Sequence, residues 1–429
     1  MYAVATTANL QLGAGAGAGA EAPLRGAISM NKNKNVNVNV RSRGNDWGLF
    51  GSVRHWDEVY PMARLKLATV MAAEKEKQMQ IPPHWRFCYS LVHQMAVSFV
   101  AAEQIMDKDL RDAIYISILV LRALDTIEDD STLTTEMKVS ILQTFHHHIR
   151  DGKLRFSNDT QDYKILKEKF HHVTTAFLEL DYRYQKEIEE IAMRMGAGMA
   201  KFICKEVDTI DDYDEYCHYV SGLCIIGTSK IYSTCKGKDL ASDDLSNTIG
   251  LFYQKADIIK DYLVDINDTP RPRIFWPRQI WGKYVDNLED LKKEENSAKA
   301  LLCLNEMVTN ALTHVEDSLK YLSALPDPAI FRSLAIWMVL EFGALALCYD
   351  NIQVFRRGAK LRLGLKAKIF YTTRTMFDVY EAVYNFSLTL ESKINQNNSH
   401  CKEAKNLVDT IKKLCENCGT SNKRRSYII

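Results

Sequence analysis

The sequence predicts an all-α protein, and three observations carry that prediction. Proline is absent from His84 to Thr269, and apolar residues recur through that stretch at helical spacing. Two runs within it end in carboxylates set whole helical turns apart. The first is Leu119-Val-Leu-Arg122-Ala-Leu-Asp125-Thr-Ile-Glu128-Asp129-Asp130. Asp125 and Asp129 are four apart, so they share a helix face with Cβ atoms roughly 5–6 Å from each other. The second run is Asp257-Ile-Ile-Lys260-Asp261-Tyr-Leu-Val-Asp265, with aspartates at i, i+4 and i+8. Like charges that close are unfavourable unless a cation stands between them. Mg²⁺ meets that need, because it takes oxygen ligands and is held by one or two carboxylates plus substrate phosphates. A single acidic run is ordinarily a solvated helix face. Two of them, each after a long apolar stretch, point to a metal-bridged clamp on a diphosphate.

The chain of 429 residues has a net charge of +1, so its overall charge gives no sign of nucleic acid as a partner. Ten cysteines are scattered along it, and Cys415 and Cys418 form the only CxxC pair. Without a second pair or spaced histidines they do not make a zinc motif, and the rest read as core thiols of a reducing compartment. The longest apolar run, Leu334 to Cys348, is interrupted by Glu341 and reads as buried core, not as a membrane helix.

Residues 1–45 do not read as folded: Gly13 to Ala20 alternates Gly and Ala, and Asn31 to Val40 alternates Asn with Lys or Val. Their basic, acid-poor composition is compatible with an organelle transit peptide, although serine is sparse; the alternatives are a disordered leader or a later start such as Met30. The expected compartment is cytoplasmic or plastid. A helical domain is expected over residues 46–395. Its helices are Asp57–Lys77, Trp85–Met106, Leu110–Glu128 and Met137–Ile149, then one or two over Lys164–Lys205. Tyr213–Ile231, Leu245–Val264, Ala298–Leu325, Ile330–Phe355 and Phe370–Ile394 follow, and a polar tail fills 396–429. The two glycines of Met195-Gly-Ala-Gly-Met199 allow close helix approach. His146-His147-His148 point in different directions on a helix and read as surface.

These motifs together resemble the squalene synthase family (farnesyl-diphosphate farnesyltransferases), the plant enzymes in particular. The matching runs are Phe87-Cys-Tyr89, Leu119–Asp130, Met195–Lys205, Asp212–Val220, Leu251–Asp265, Phe275–Trp281 and Cys348–Gly358. The resemblance implies a single all-α domain with a central cavity, the class I isoprenoid (terpenoid) synthase fold. It implies Mg²⁺ and farnesyl diphosphate, joined head to head into presqualene diphosphate and reduced by NADPH to squalene. Carried over by position, Asp125, Glu128, Asp129, Asp257, Asp261 and Asp265 form the metal set, with Asp130 in support. Tyr216 assists ionisation or proton handling. Arg122, Phe99, Gln254, Lys260, Lys360 and Arg362 contact the substrate or the NADPH phosphate.

The departures from the family pattern cluster by role. The usual Ser-Arg-Ser-Phe run reads Ala96-Val97-Ser98-Phe99, and Glu103 takes a nearby aliphatic place. Phe-Tyr before the first motif is Ser117-Ile118, and the second motif carries Asp257 for Asn and Val264 for Glu. The Phe-Cys-Ala-Ile-Pro-Gln run of the reductive pocket is Ser333-Leu-Ala-Ile-Trp337-Met338. A chain without the family's C-terminal membrane anchor, and a monomer, are expected. The leading expectation is therefore a non-reductive terpene synthase that ionises farnesyl diphosphate with Mg²⁺ and does not use NADPH. Retained head-to-head coupling and a non-catalytic paralogue that binds prenyl diphosphate or a family partner are the alternatives.

Overall fold

The computed structural model describes residues 55–78, 80–130, 132–151, 166, 168–268, 272–394, 401–418 and 427. The leader 1–45, residues 269–271 and most of the chain end after Cys418 lie outside the described residues. Among the described residues the regular structure is helical, with no strand.

Several of the main helices start where the sequence supplies a side-chain oxygen for unpaired N–H groups. After α1 (Trp56–Gln78) come α2 (Pro83–Met95) and the short α3 (Val97–Val100). The helix expected over Trp85–Met106 breaks at Ala96 and finishes as a 3₁₀ turn, Glu103–Ile105. α4 (Lys108–Asp129) is capped by Asp107, whose carboxylate accepts from the Asp109 N–H at 3.1 Å. α5 (Thr135–His148) is capped by Thr134. The Lys164–Lys205 stretch divides into α6 (Phe170–Glu179) and α7 (Tyr182–Ile203) because Asp181 caps the second segment, accepting from Arg183 N at 2.9 Å.

α8 (Ile210–Cys217) opens on a reciprocal capping box between Thr209 and Asp212. It runs into a π-helical turn, His218–Gly222, in which the Leu223 N–H donates to the His218 carbonyl five residues back. α9 (Leu223–Lys236) follows and ends on Gly237, whose φ of 69° suits the left-handed stop. α10 (Asp243–Lys260) is the central helix, buried continuously from Ile249 to Lys260, and α11 (Tyr262–Ile266) continues it after a break at Asp261.

α12 is Arg278–Trp281. The stretch Ala298–Leu325 is two helices, α13 (Ser297–Leu312) and α14 (Val315–Ala324). α15 (Pro328–Cys348) is apolar nearly all round and lies in the core, as such a helix must. Among the described residues it is the one helix long and apolar enough to cross a membrane, but 78% of its apolar window is buried inside the fold. The helix expected over Phe370–Ile394 starts only at Met376, as α17 (Met376–Lys393), because Thr375 and Asp378 form a second capping box; its first residues belong to α16 (Leu363–Thr372).

The tail expected to be polar instead contains α18 (Cys401–Asn417), which buries Cys401, Ala404, Val408, Ile411 and Cys415. The missed signal is an i, i+3/i+4, i+7 apolar stripe set among lysines and glutamates.

Glycines set the closest helix crossings. A Cβ on Gly196 would meet the Leu142 carbonyl at 2.3 Å, and one on Gly198 would enter the Tyr219 ring. A Cβ on Gly250 would stand 2.6 Å from the Gly222 Cα, so α10 crosses the π turn backbone to backbone. Gly250→Ala is expected to destabilise the protein by about 1–3 kcal/mol through overpacking, read as a lower urea midpoint at unchanged slope.

Candidate active site

The two acidic motifs lie at the C-terminal ends of their helices, where the helix dipole already presents negative charge. Each therefore needs cations, and the fold supplies them. On α4, Arg122 pairs with Asp125. Lys138 from α5 donates to the Glu128 carbonyl at 2.5 Å, which caps the helix end. Asp130 turns back to accept from the Thr132 N–H at 3.1 Å, so it shapes the exit from the helix.

On the α10–α11 side, Asp261 sits at the helix break and Asp265 one turn on. Between the motifs stands Arg273, a loop residue to which the sequence assigns no site role. Its guanidinium pairs with Asp129 of the first motif and reaches Asp265 and Asp268 of the second, each at 3.0 Å. Its backbone N–H donates to the Asp265 carbonyl at 2.9 Å, which zips the loop to the motif. The same loop is latched further on, where Arg278 N donates to Val207 O at 3.0 Å and Gln279 N to Asp208 O at 2.7 Å. Val207 and Asp208 lead into α8, which carries Tyr216.

Tyr216 is buried and stacks on Phe275 with ring centroids 4.7 Å apart and planes at 16°. Phe202 meets it edge-on at 5.4 Å. Burial, with the nearby Glu128 and Asp125 charges, raises its phenol well above the usual range, so the hydroxyl keeps its proton.

The carboxylates respond to burial and to each other. Burial, then Asp129 and Asp125, pushes Glu128 up to about 8. Burial pushes Asp265 up to about 8 despite Arg273, and Asp261 up to about 6 despite Lys260. Asp125 is raised by burial, against the pull of Arg122. Against burial, Asp129, Asp265 and Asp268 hold the Arg273 guanidinium above its ordinary value. The cluster is thus short of positive charge, and an all-oxygen donor set of this kind fits a hard divalent cation. Among the described residues no three acidic, His or Cys side chains converge as a closed shell. The Arg273 guanidinium spans the gap between the two motifs instead.

Asp257 is placed differently from its two partners in the second motif. It is 2% exposed and pairs with Lys260, which also binds Glu341 of α15 with both oxygens at 2.8 Å. The break at Asp261 ends the even i, i+4, i+8 face that the spacing predicts. Gln254 accepts from Ser221 at 2.6 Å, and Phe99 is buried. Lys360 is exposed and close enough to Asp261 to act on its carboxyl. Arg362 is committed elsewhere, to the buried Glu58 of α1 at 2.6 Å. Lys366, lowered to about 8 by burial and by Lys260, lies on the same basic side. The side chain of Val97 lies outside what is described.

An all-α body that brings two acid-ended helices together around a bridging cation is the architecture of a class I isoprenoid synthase. The squalene/phytoene synthase family model matches residues 92–364. The chain is 56% identical over 384 residues to squalene synthase 2 of Panax ginseng, covering 89% of this chain and 92% of that one. It is 56% identical over 373 residues to the squalene synthase of Nicotiana benthamiana, covering 87% and 90%. A solved structure of TcSQS with a bound ligand superposes with a TM-score of 0.74 at 36% identity, over 78% of this chain and 99% of its own. This chain is an enzyme of the squalene/phytoene synthase family.

The raised acids fix the sign of a pH response. Glu128 and Asp265 bind protons in the folded state up to about 8, whereas unfolded carboxylates release them near 4. The folded state therefore holds more protons across that interval, and stability falls as pH rises through it. In chelator, the urea midpoint is expected to drop between pH 6 and 8. Arg273→Gln is expected to steepen that drop, because it leaves Asp129, Asp265 and Asp268 without their shared cation.

Proposed function

We propose that this enzyme ionises farnesyl diphosphate and joins two molecules head to head, giving presqualene diphosphate and, with NADPH, squalene. The observation that supports it most is the pairing of the Asp125/Asp129 helix end with the Asp261/Asp265 helix end across one cationic gap. The squalene synthases at 54–56% identity, matched along 90–92% of their own length, support the same chemistry. Mg²⁺ held by Asp125, Asp129, Asp261 and Asp265 would neutralise the departing diphosphate when bound. Arg122 and Lys360 add positive charge beside that leaving group. Tyr216, protonated, stacked on Phe275 and met edge-on by Phe202, can donate a proton or hydrogen bond to the leaving oxygen, while the surrounding aromatic faces favour a cation. One diphosphate leaves in each of the two steps.

A second reading, ionisation without reduction, rests on Trp337 and Ser333. Trp337 is 6% exposed and packs 5.3 Å from Tyr253. The Ser333 hydroxyl is spent on the Ala329 carbonyl at 2.9 Å. An indole fills the stretch to which the resemblance gives the reductive pocket, which favours arrest at presqualene diphosphate or release of a C15 product.

Incubation with farnesyl diphosphate and Mg²⁺, with and without NADPH, separates these by gas chromatography and phosphate-ester analysis. Presqualene diphosphate without NADPH and squalene with it are expected. Presqualene diphosphate that persists in NADPH with no squalene, or only C15 hydrocarbon or alcohol in either condition, would establish the second reading. Asp125→Asn and Asp261→Asn are each expected to lower turnover by on the order of 10²-fold or more, with the fold intact by circular dichroism. Mg²⁺ is expected to raise the melting temperature of the wild type more at pH 8 than at pH 6, since the carboxylates must shed protons to bind it.

A further inference from the structure

Away from the acidic centre, two arginines from separate elements contact one tyrosine, Tyr371, and a third, Arg332, stands within electrostatic reach of it. Arg64 of α1 lies over the Tyr371 ring of α16, its guanidinium carbon 4.6 Å from the ring centroid. Arg374, in the turn between α16 and α17, donates through Nε to the Tyr371 carbonyl at 3.2 Å. Arg332 comes up from α15 and donates through Nη1 to the Ala101 carbonyl at 2.6 Å. Burial, then the charges of Arg374 and Arg64, lowers the Arg332 guanidinium, so the three feel one another.

None of these contacts neutralises charge. Among the described residues no ion pair reaches any of the three, and the adjacent Asp378 carboxylate is taken by the Arg374 and Thr375 N–H groups at 3.1 and 2.8 Å. Two buried polar atoms in the cluster, Arg332 Nε and the Tyr371 hydroxyl, have no hydrogen-bond partner among the described residues. Arg64 and Arg374 are both exposed, so the cluster opens to solvent. Three like charges and two unsatisfied buried donors at one solvent-facing spot call for an anion that accepts several hydrogen bonds at once.

We propose that Arg64, Arg332, Arg374 and the Tyr371 hydroxyl form a second anion site that takes a phosphate or diphosphate group. The site shares no residue with the acidic centre and needs no metal, because the protein itself supplies the positive charge. The phosphate could be carried by a soluble phosphoester or by an anionic lipid headgroup.

The test uses the full chain in chelator, where the acidic centre repels diphosphate. Radiolabelled pyrophosphate is measured by equilibrium dialysis, and phosphatidate vesicles are compared with neutral phosphatidylcholine vesicles by co-sedimentation. Pyrophosphate is expected to bind the wild type. The surface double variant Arg64→Gln/Arg374→Gln should weaken it by on the order of tenfold or more, and Tyr371→Phe by about threefold. If only phosphatidate vesicles bind, and the double variant releases them, the proposal stands with a lipid headgroup as the source. Absence of binding to either probe overturns it. So does binding that survives Arg64→Gln/Arg374→Gln, or binding that Lys360→Gln abolishes, which would assign the anion to the basic side of the acidic centre.

Discussion

The pairing of Arg273 with both acidic motifs is the constraint on which the rest of the site depends. Two helix C-termini, each dressed with aspartates, repel one another, and two such charges at 4 Å interact by about 4 kcal/mol at an effective dielectric near 20. A guanidinium is suited to the gap because its fork can serve several carboxylates at once. Asp129, Asp265 and Asp268 are all within its reach. The consequences pass along the chain. Fixing Arg273 fixes Phe275 two residues on, and Phe275 is the face on which Tyr216 stacks. Trp276 then donates to the Ile258 carbonyl at 3.3 Å, returning the loop to the central helix. Loop, second motif and phenol thus form one unit.

A second charged contact holds the opposite side of that unit. Lys255 is fully buried, yet its ammonium meets Asp214 at 2.6 Å, Asn310 at 2.7 Å and His314 at 2.8 Å. It joins α8, two residues before Tyr216, to α10 and to the α13–α14 junction. Burial and the Lys255 charge push His314 down to about 3, so its imidazole is neutral and can accept from the lysine. Further along α10, Lys260 and Glu341 tie that helix to the core helix α15 in the same manner. The central helix thus turns one lysine toward the α8 side and another toward α15.

Much of this was legible in the sequence. The proline-free stretch and the two carboxylate runs gave the helical class and the two acid-ended helix ends that the fold brings together, because apolar periodicity and i, i+4 spacing are local properties. The breaks within long helices were legible in principle, since Asp181 and Thr375–Asp378 are ordinary capping signals that the periodicity masked. α18 was hidden by composition, as its stripe is thin and its other faces are charged. Arg273 was not legible from local rules: it lies in an irregular loop beside Pro272, and its partners are set by tertiary packing. The same holds for Arg362, whose partner Glu58 lies 304 residues away in the chain.

The π turn at His218–Gly222 carries a consequence for angular phase. An α-helix advances about 100° per residue, so one extra residue in a turn offsets everything before it from everything after it by about that angle. Tyr216 lies before the turn and the buried face of α9 after it. The chain can therefore aim the phenol at the acidic centre without rotating α9 out of the core, and Gly222 and Gly250 leave room for α10 to cross at that point. The orientation of the phenol and the packing of the scaffold become independently adjustable. Removing a single residue from the turn would couple them again, with the core setting the angle and the tyrosine turned away.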